Sequence, residues 1–71
     1  MRISEAAECT GVPARLLRYY EEQELLRPGR NASGYRDYTD HDVETAKRIR
    51  QLLDAGLSTA TIRTVLPCLT E

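Results

Sequence analysis

Only two cysteines occur in 71 residues, Cys9 and Cys68, and neither sits in a C-x-x-C or Cys/His spacing suited to a metal. Both are read as small buried hydrophobes in a reducing compartment, so the core is expected to be held by packing alone. An apolar leader is missing, because Met1 runs straight into Arg2-Ile3-Ser4-Glu5. No apolar run approaches the ~20 residues needed to span a bilayer. Together these absences predict a cytoplasmic protein with no membrane partner. Also missing are a Ser/His/Asp or Cys/His set, a phosphate-cradling glycine loop and spaced metal ligands, which excludes the common routes to catalysis and to a cofactor. The lone His41, near the start of a helical pattern, reads as a solvated surface residue.

Excess charge is lacking as well. Ten basic and eleven acidic side chains leave a net charge of −1, which argues against an indiscriminate polyanion binder. The charges are segregated, however. Leu25 to Arg36 holds Arg27, Arg30 and Arg36 without one acid, and Asp37, Asp40, Asp42 and Glu44 follow directly. Segregation of this kind decides which face can approach phosphate, whatever the total.

The chain is too short for more than one domain, and its core must be thin. Ser4 reads as the N-cap of a first short helix, with Glu5 in its first turn. Thr10-Gly11-Val12 breaks that helix, and Pro13 reads as the first position of a second one reaching about Gln23. Two short helices joined by three residues with a glycine form a helix-turn-helix layout over residues 4–23.

Leu25-Leu26-Arg27-Pro28 reads as a short strand ended by its proline. A turn-rich loop, Gly29 to Gly34, leads to a second strand, Tyr35-Arg36-Asp37-Tyr38. The expected result is a two-stranded wing over 25–38 with a basic tip. Thr39 and Asp42 resemble a capping box for a third helix, whose repeat runs through Val43, Ala46, Ile49 or Arg50, and Leu53, with Leu52 widening the apolar stripe. The acids at its start and Lys47, Arg48 and Arg50 nearer its end suit the helix dipole, a structural reason for those cations. Gly56 closes it, Ser58 caps a fourth helix containing Ile62, Val65 and Leu66, and Pro67 is expected to stop that helix. The second helical pair thus spans 39–66. The fold class is mainly α, about four helices with a small β-hairpin.

Three strings carry a family resemblance. Thr10-Gly11-Val12-Pro13-Ala14-Arg15-Leu16-Leu17-Arg18-Tyr19-Tyr20-Glu21 resembles the turn and recognition helix of MerR-family transcriptional regulators. Ser33-Gly34-Tyr35-Arg36-Asp37-Tyr38 is similar to that family's wing, and Ala55-Gly56-Leu57-Ser58 to its second helical corner. They occur in the family's order and spacing over nearly the whole of residues 1–71. The resemblance implies a winged helix-turn-helix that binds promoter or operator duplexes, as a homodimer in the full-length family context, and distorts them for RNA polymerase. Two positions depart from the family pattern. Glu24 stands where Gly or Asn is usual, and a left-handed turn there would cost about 1–2 kcal/mol. Leu16 replaces a frequent Thr. The family also continues into a long dimerising helix and an effector region beyond the length of this chain, and no metal site carries over.

Physical argument assigns roles within that frame. Arg15, in the first turn of the second helix, is placed to read a guanine edge. Arg18 and Tyr19 suit phosphate contacts. Leu17 belongs to the core, and Tyr20 is expected to bury its ring while its hydroxyl reaches the DNA surface. In the wing Arg36 is the leading phosphate contact, followed by Arg30, Tyr35 and Arg27, while Tyr38 is open to either role. Two alternatives stand beside the regulator: a single-domain protein resembling phage excisionases, and a protein-interaction module that has lost DNA binding.

Overall fold

The computed structural model describes residues 1–69, with side chains as far as Pro67, and its first helix, α1, spans Ile3–Thr10. Its N-cap is Arg2, in extended conformation and without a side-chain cap, so Ser4 lies inside the first turn rather than before it. The cause is a long-range tether. Met1 exchanges hydrogen bonds with Tyr38, its terminal ammonium donating to the Tyr38 carbonyl and its carbonyl accepting the Tyr38 amide, each at 2.7 Å, which fixes the chain just ahead of the helix. The helix must then start at once for Ala6 to reach the core, where it is 1% exposed. The inward stripe is Ile3, Ala6, Ala7 and Thr10, so Cys9 falls outside it and is exposed, against the expectation of a buried thiol. The side chain of Cys68 lies outside the described residues.

The corner after α1 is stapled by one hydroxyl. Thr10 Oγ1 donates to the Ala6 carbonyl at 2.8 Å and accepts the Val12 amide at 3.1 Å, while Val12 plugs into the core. Helix α2 spans Ala14–Glu22. Pro13 stands one residue before it, as N-cap. Its ring fixes φ at −55°, but ψ of 146° keeps it extended, with its carbonyl accepting from Leu16 and Leu17.

Helix α2 ends in a Schellman motif whose left-handed residue is a glutamate. The Glu24 amide bonds the Glu21 carbonyl, the Leu25 amide bonds that of Tyr20, and Glu24 has φ of 60°. Helix α3, Asp40–Asp54, ends the same way: Gly56 to Leu53, Leu57 to Leu52, and Gly56 at φ of 91°. The same turn is therefore built once with the residue that suits it and once without. Replacing Glu24 by Gly removes a strain of about 1–2 kcal/mol and adds an unfolded-chain entropy of about 0.5–1 kcal/mol. Glu24→Gly is expected to raise the midpoint of thermal unfolding by a few degrees, with Glu24→Asn in between. An unchanged or lowered midpoint in both variants would contradict the strain.

Leu25 and Leu26 are both buried, at 4% and 2% exposure, but they form no strand. Adjacent strand residues point to opposite faces, whereas here the left-handed turn directs two consecutive side chains into one core. The hairpin begins only past Pro28. Strands β1 (Gly29–Arg30) and β2 (Arg36–Asp37) pair antiparallel, Gly29 opposite Asp37 and Arg30 opposite Arg36. Asn31 organises the tip, its Oδ1 accepting the amides of Ser33 at 2.9 Å and Tyr35 at 3.2 Å.

Thr39 and Asp42 form the expected capping box at the start of α3. Ser58 caps α4, Thr59–Leu69, by accepting the Thr61 amide at 3.1 Å. Pro67 lies inside α4 instead of ending it. So close to the last described residue it forfeits one backbone bond, and two helical residues follow. Arg63 of α4 donates to the Gln23 carbonyl at 2.9 Å, placing a cation at the C-terminus of α2. Tyr20, Tyr38, Leu17, Ile49, Ile62 and Val12 are the largest fully buried side chains, so every helix and the hairpin's far end meet in one core.

Candidate nucleic-acid interface

The core face of α2 dictates what its other face offers. Leu17 and Tyr20 are wholly buried. Arg15, Arg18 and Tyr19 lie on the opposite side and are exposed, Tyr19 at 41%. They project one basic and aromatic stripe. The first turn of α2 carries no acid, so nothing there offsets the positive end of its dipole.

Tyr20 departs from expectation. Its hydroxyl does not reach the surface, because the residue lies at the centre of the buried face and not at its edge. That hydroxyl and the one of Tyr38 are buried with no hydrogen-bond partner among the described residues. Burial pushes both phenols up from the ordinary range, the nearby Arg50 opposing this at Tyr20 and Arg36 and Arg18 opposing it at Tyr38. A phenol raised in the fold is held neutral there while the unfolded chain ionises. The stability it contributes is present in full below about pH 10 and is lost as pH rises through the folded value. Thermal melts from pH 8 to 11 should therefore show a falling midpoint above pH 10, less steep in Tyr20→Phe. Equal slopes for wild type and variant would refute the effect.

The wing brings its cations to α2 through a carboxylate. Glu21 Oε2 accepts from Arg36 Nε at 2.5 Å, and Oε1 accepts from Arg30 Nη2 at 3.5 Å. The bond to Glu21 raises the Arg36 guanidinium still further above neutrality. Arg36 is half-buried, while Arg27, Arg30 and Tyr35 are exposed, Tyr35 at 60%. The Arg2 guanidinium sits over the Tyr35 ring, 5.4 Å from its centroid, and adds a fourth cation to the hairpin side. Tyr38 is a packing residue under the hairpin, 2% exposed.

Glu21 and Arg2 have no assigned part in the sequence reading. The signal for Glu21 was partial: three arginines over 25–36 without an acid among them need a counterion, and Glu21, Glu22 and Glu24 precede them while Asp37 follows. On α3, Lys47 pairs with Glu44 at 3.7 Å and Arg50 with Asp54 at 3.4 Å, in keeping with a structural role. Among the described residues no group of three or more His, Cys, Asp or Glu could hold a metal ion, and no helix is long and apolar enough to cross a membrane.

Residues 1–68 match the family model described as MerR HTH family regulatory protein. An uncharacterized HTH-type transcriptional regulator of Pseudomonas aeruginosa is 51% identical over 59 residues, covering 82% of this chain and 45% of that protein. The HTH-type transcriptional regulator HmrR of Sinorhizobium medicae is 43% identical over 67 residues, covering 93% of this chain and 46% of its own length. Among solved structures, HiNmlR, a MerR family regulator lacking the sensor domain and bound to promoter DNA, superposes with a TM-score of 0.89 at 31% identity. The match covers 97% of this chain and 53% of HiNmlR. The chain thus spans about half the length of each of these relatives.

Proposed function

Because this chain belongs to the MerR helix-turn-helix family, we propose that it binds double-stranded DNA sequence-specifically in the service of transcriptional regulation. Helix α2 enters the major groove, and the wing lies along the backbone of the same duplex. The observation that carries this is the outward stripe of Arg15, Arg18 and Tyr19, set directly opposite the buried Leu17 and Tyr20. A core that fixes one face of a short helix fixes the aim of the other, which base readout requires. Arg15 reads a base edge, and Arg18 and Tyr19 meet phosphate. From the hairpin, Arg27, Arg30, Tyr35 and Arg36 add backbone contacts. A relative of the same fold bound to promoter DNA supports the DNA-binding reading.

The regulator acts in the cytoplasm as a homodimer on inverted half-sites, in the neighbourhood of RNA polymerase, and carries out no chemistry of its own. Selection from a random duplex pool, run at low and moderate salt, tests the reading. One short enriched motif is expected, and paired copies in inverted orientation identify the dimeric regulator. Direct repeats would instead identify an excisionase-like array. A pool left unenriched at both salts would sink the DNA-binding reading and leave the interaction module.

A further inference from the structure

Arg30 and Arg36 face each other directly across the hairpin. Like charges in that position destabilise a strand pair, and strands of two residues have little pairing with which to resist. What lies between them is one carboxylate. Glu21 turns one oxygen to each guanidinium, at 2.5 Å and 3.5 Å. With its side chain only 24% exposed, it is partly shielded from competing water and salt. The hairpin therefore carries a preformed anion cradle, and a residue of the recognition helix already fills it.

A backbone phosphate presents the same chemistry as that carboxylate: two oxygens, negative charge and acceptance from two guanidinium groups. We propose that Glu21 masks the wing as an internal anion that phosphate must displace or share before Arg30 and Arg36 engage DNA. This rests on the DNA-binding reading above and deepens it. A nonspecific complex draws nearly all of its affinity from phosphate contacts, so it bears the competition in full. A specific complex adds base readout by Arg15, which Glu21 does not oppose. The specific complex makes the same phosphate contacts, so Glu21 lowers affinity for every duplex by about the same factor and leaves discrimination to Arg15. It acts through Arg30 and Arg36 and is a positioning residue in the free protein.

The test compares Glu21→Gln with Glu22→Gln. Both remove one negative charge from the end of α2, but Glu22 is exposed and makes no ion pair among the described residues. Binding to a random-sequence duplex is measured against salt, alongside the selected motif. Glu21→Gln is expected to bind the random duplex several-fold more tightly than Glu22→Gln. Its slope of log K on log salt should be steeper by about 0.9 for one unmasked contact, or about 1.8 for two. The ratio of selected to random affinity should stay near the wild-type value, since phosphate contacts carry no sequence information.

A brace that only held the wing in place would give the opposite, weaker binding with a shallower slope, and that result or an equal response of the two variants would overturn the proposal. Glu21→Asp retains the charge but withdraws the carboxylate by one methylene, so it should resemble Glu21→Gln even if the glutamine variant proves too unstable to assay. Elution from a heparin column separates this proposal from the one it rests on. Later elution of Glu21→Gln than of Glu22→Gln, with a wild type that selects no motif, sustains the masking and fails the DNA-reading function. Co-elution of the two variants, with a wild type that does select a motif, fails the masking alone.

Discussion

Leu17→Ala is expected to leave a large share of the chain unfolded at 37 °C and to abolish DNA binding with it. Leu17 is wholly buried among the side chains that join α2 to the rest of the core. A truncation of this kind typically costs about 2–5 kcal/mol. A chain of 71 residues has at most about 4–10 kcal/mol of folding stability to lose, and small domains without staples fall toward the lower end. The penalty is thus comparable to the whole. Melts followed by circular dichroism should show a midpoint lowered by roughly 10 °C or more, since about 1 kcal/mol shifts a domain of this size by 4–8 °C. Leu17→Met, which nearly conserves volume, should cost under about 1.5 kcal/mol and keep binding. A Leu17→Ala midpoint within a few degrees of wild type would mean that this core is not what sets the aim of α2.

Much of this fold was legible because its helix ends are written in local chemistry. Thr39 with Asp42, Ser58 and Gly56 each act through partners within a few residues, and each behaves as its type predicts. Glu24 shows the same legibility from the other side. The turn imposes a left-handed conformation on whatever residue stands there, and a strained glutamate follows. Expectations failed where a distant partner or an adjacent turn decides, or where a rule was carried outside its range. Ser4 is the better cap in isolation, but pairing of Met1 with Tyr38, 37 residues away, starts α1 earlier. Leu25-Leu26 is an apolar pair ahead of a proline, as a short strand would be, but the turn before it directs both side chains into the core. Pro67 breaks helices by a rule that concerns helix interiors, and it stands near an end.

The candidate site divides along the same line. The outward set on α2 follows from helical spacing alone, and Arg15, Arg18 and Tyr19 are exposed as that spacing requires. Spacing also marks Tyr20 as inward, and the expectation that its hydroxyl would still reach the surface overestimated the reach of one ring. The pairing of Glu21 with Arg30 and Arg36 spans separations of 9 and 15 residues. No periodicity records such contacts, which depend on where the hairpin folds back. Arg2 over Tyr35 is of the same kind.

Arg15→Ala should erase sequence preference while leaving both the fold and the salt response of binding nearly unchanged. Arg15 is exposed, and no hydrogen bond or ion pair ties it to the described residues, so its loss removes nothing from the core. Alanine is moreover the strongest helix former, and it would stand in the first turn of α2. If its guanidinium meets a guanine edge through two hydrogen bonds, truncation forfeits about 1–3 kcal/mol of discrimination. That is a fall of about 5- to 150-fold in the ratio of selected to random affinity, at 1.4 kcal/mol per tenfold. A base contact releases few counterions, so the slope of log K on log salt should stay near the wild-type value. Arg36→Ala makes the contrast: a lost phosphate contact weakens all duplexes alike and lessens the slope by about 0.9. The two variants therefore separate reading from holding along two independent axes. Should Arg15→Ala keep the selected motif and lose slope instead, the first turn of α2 would be gripping phosphate, and base readout would have to fall to Arg18 and Tyr19 further along the same stripe.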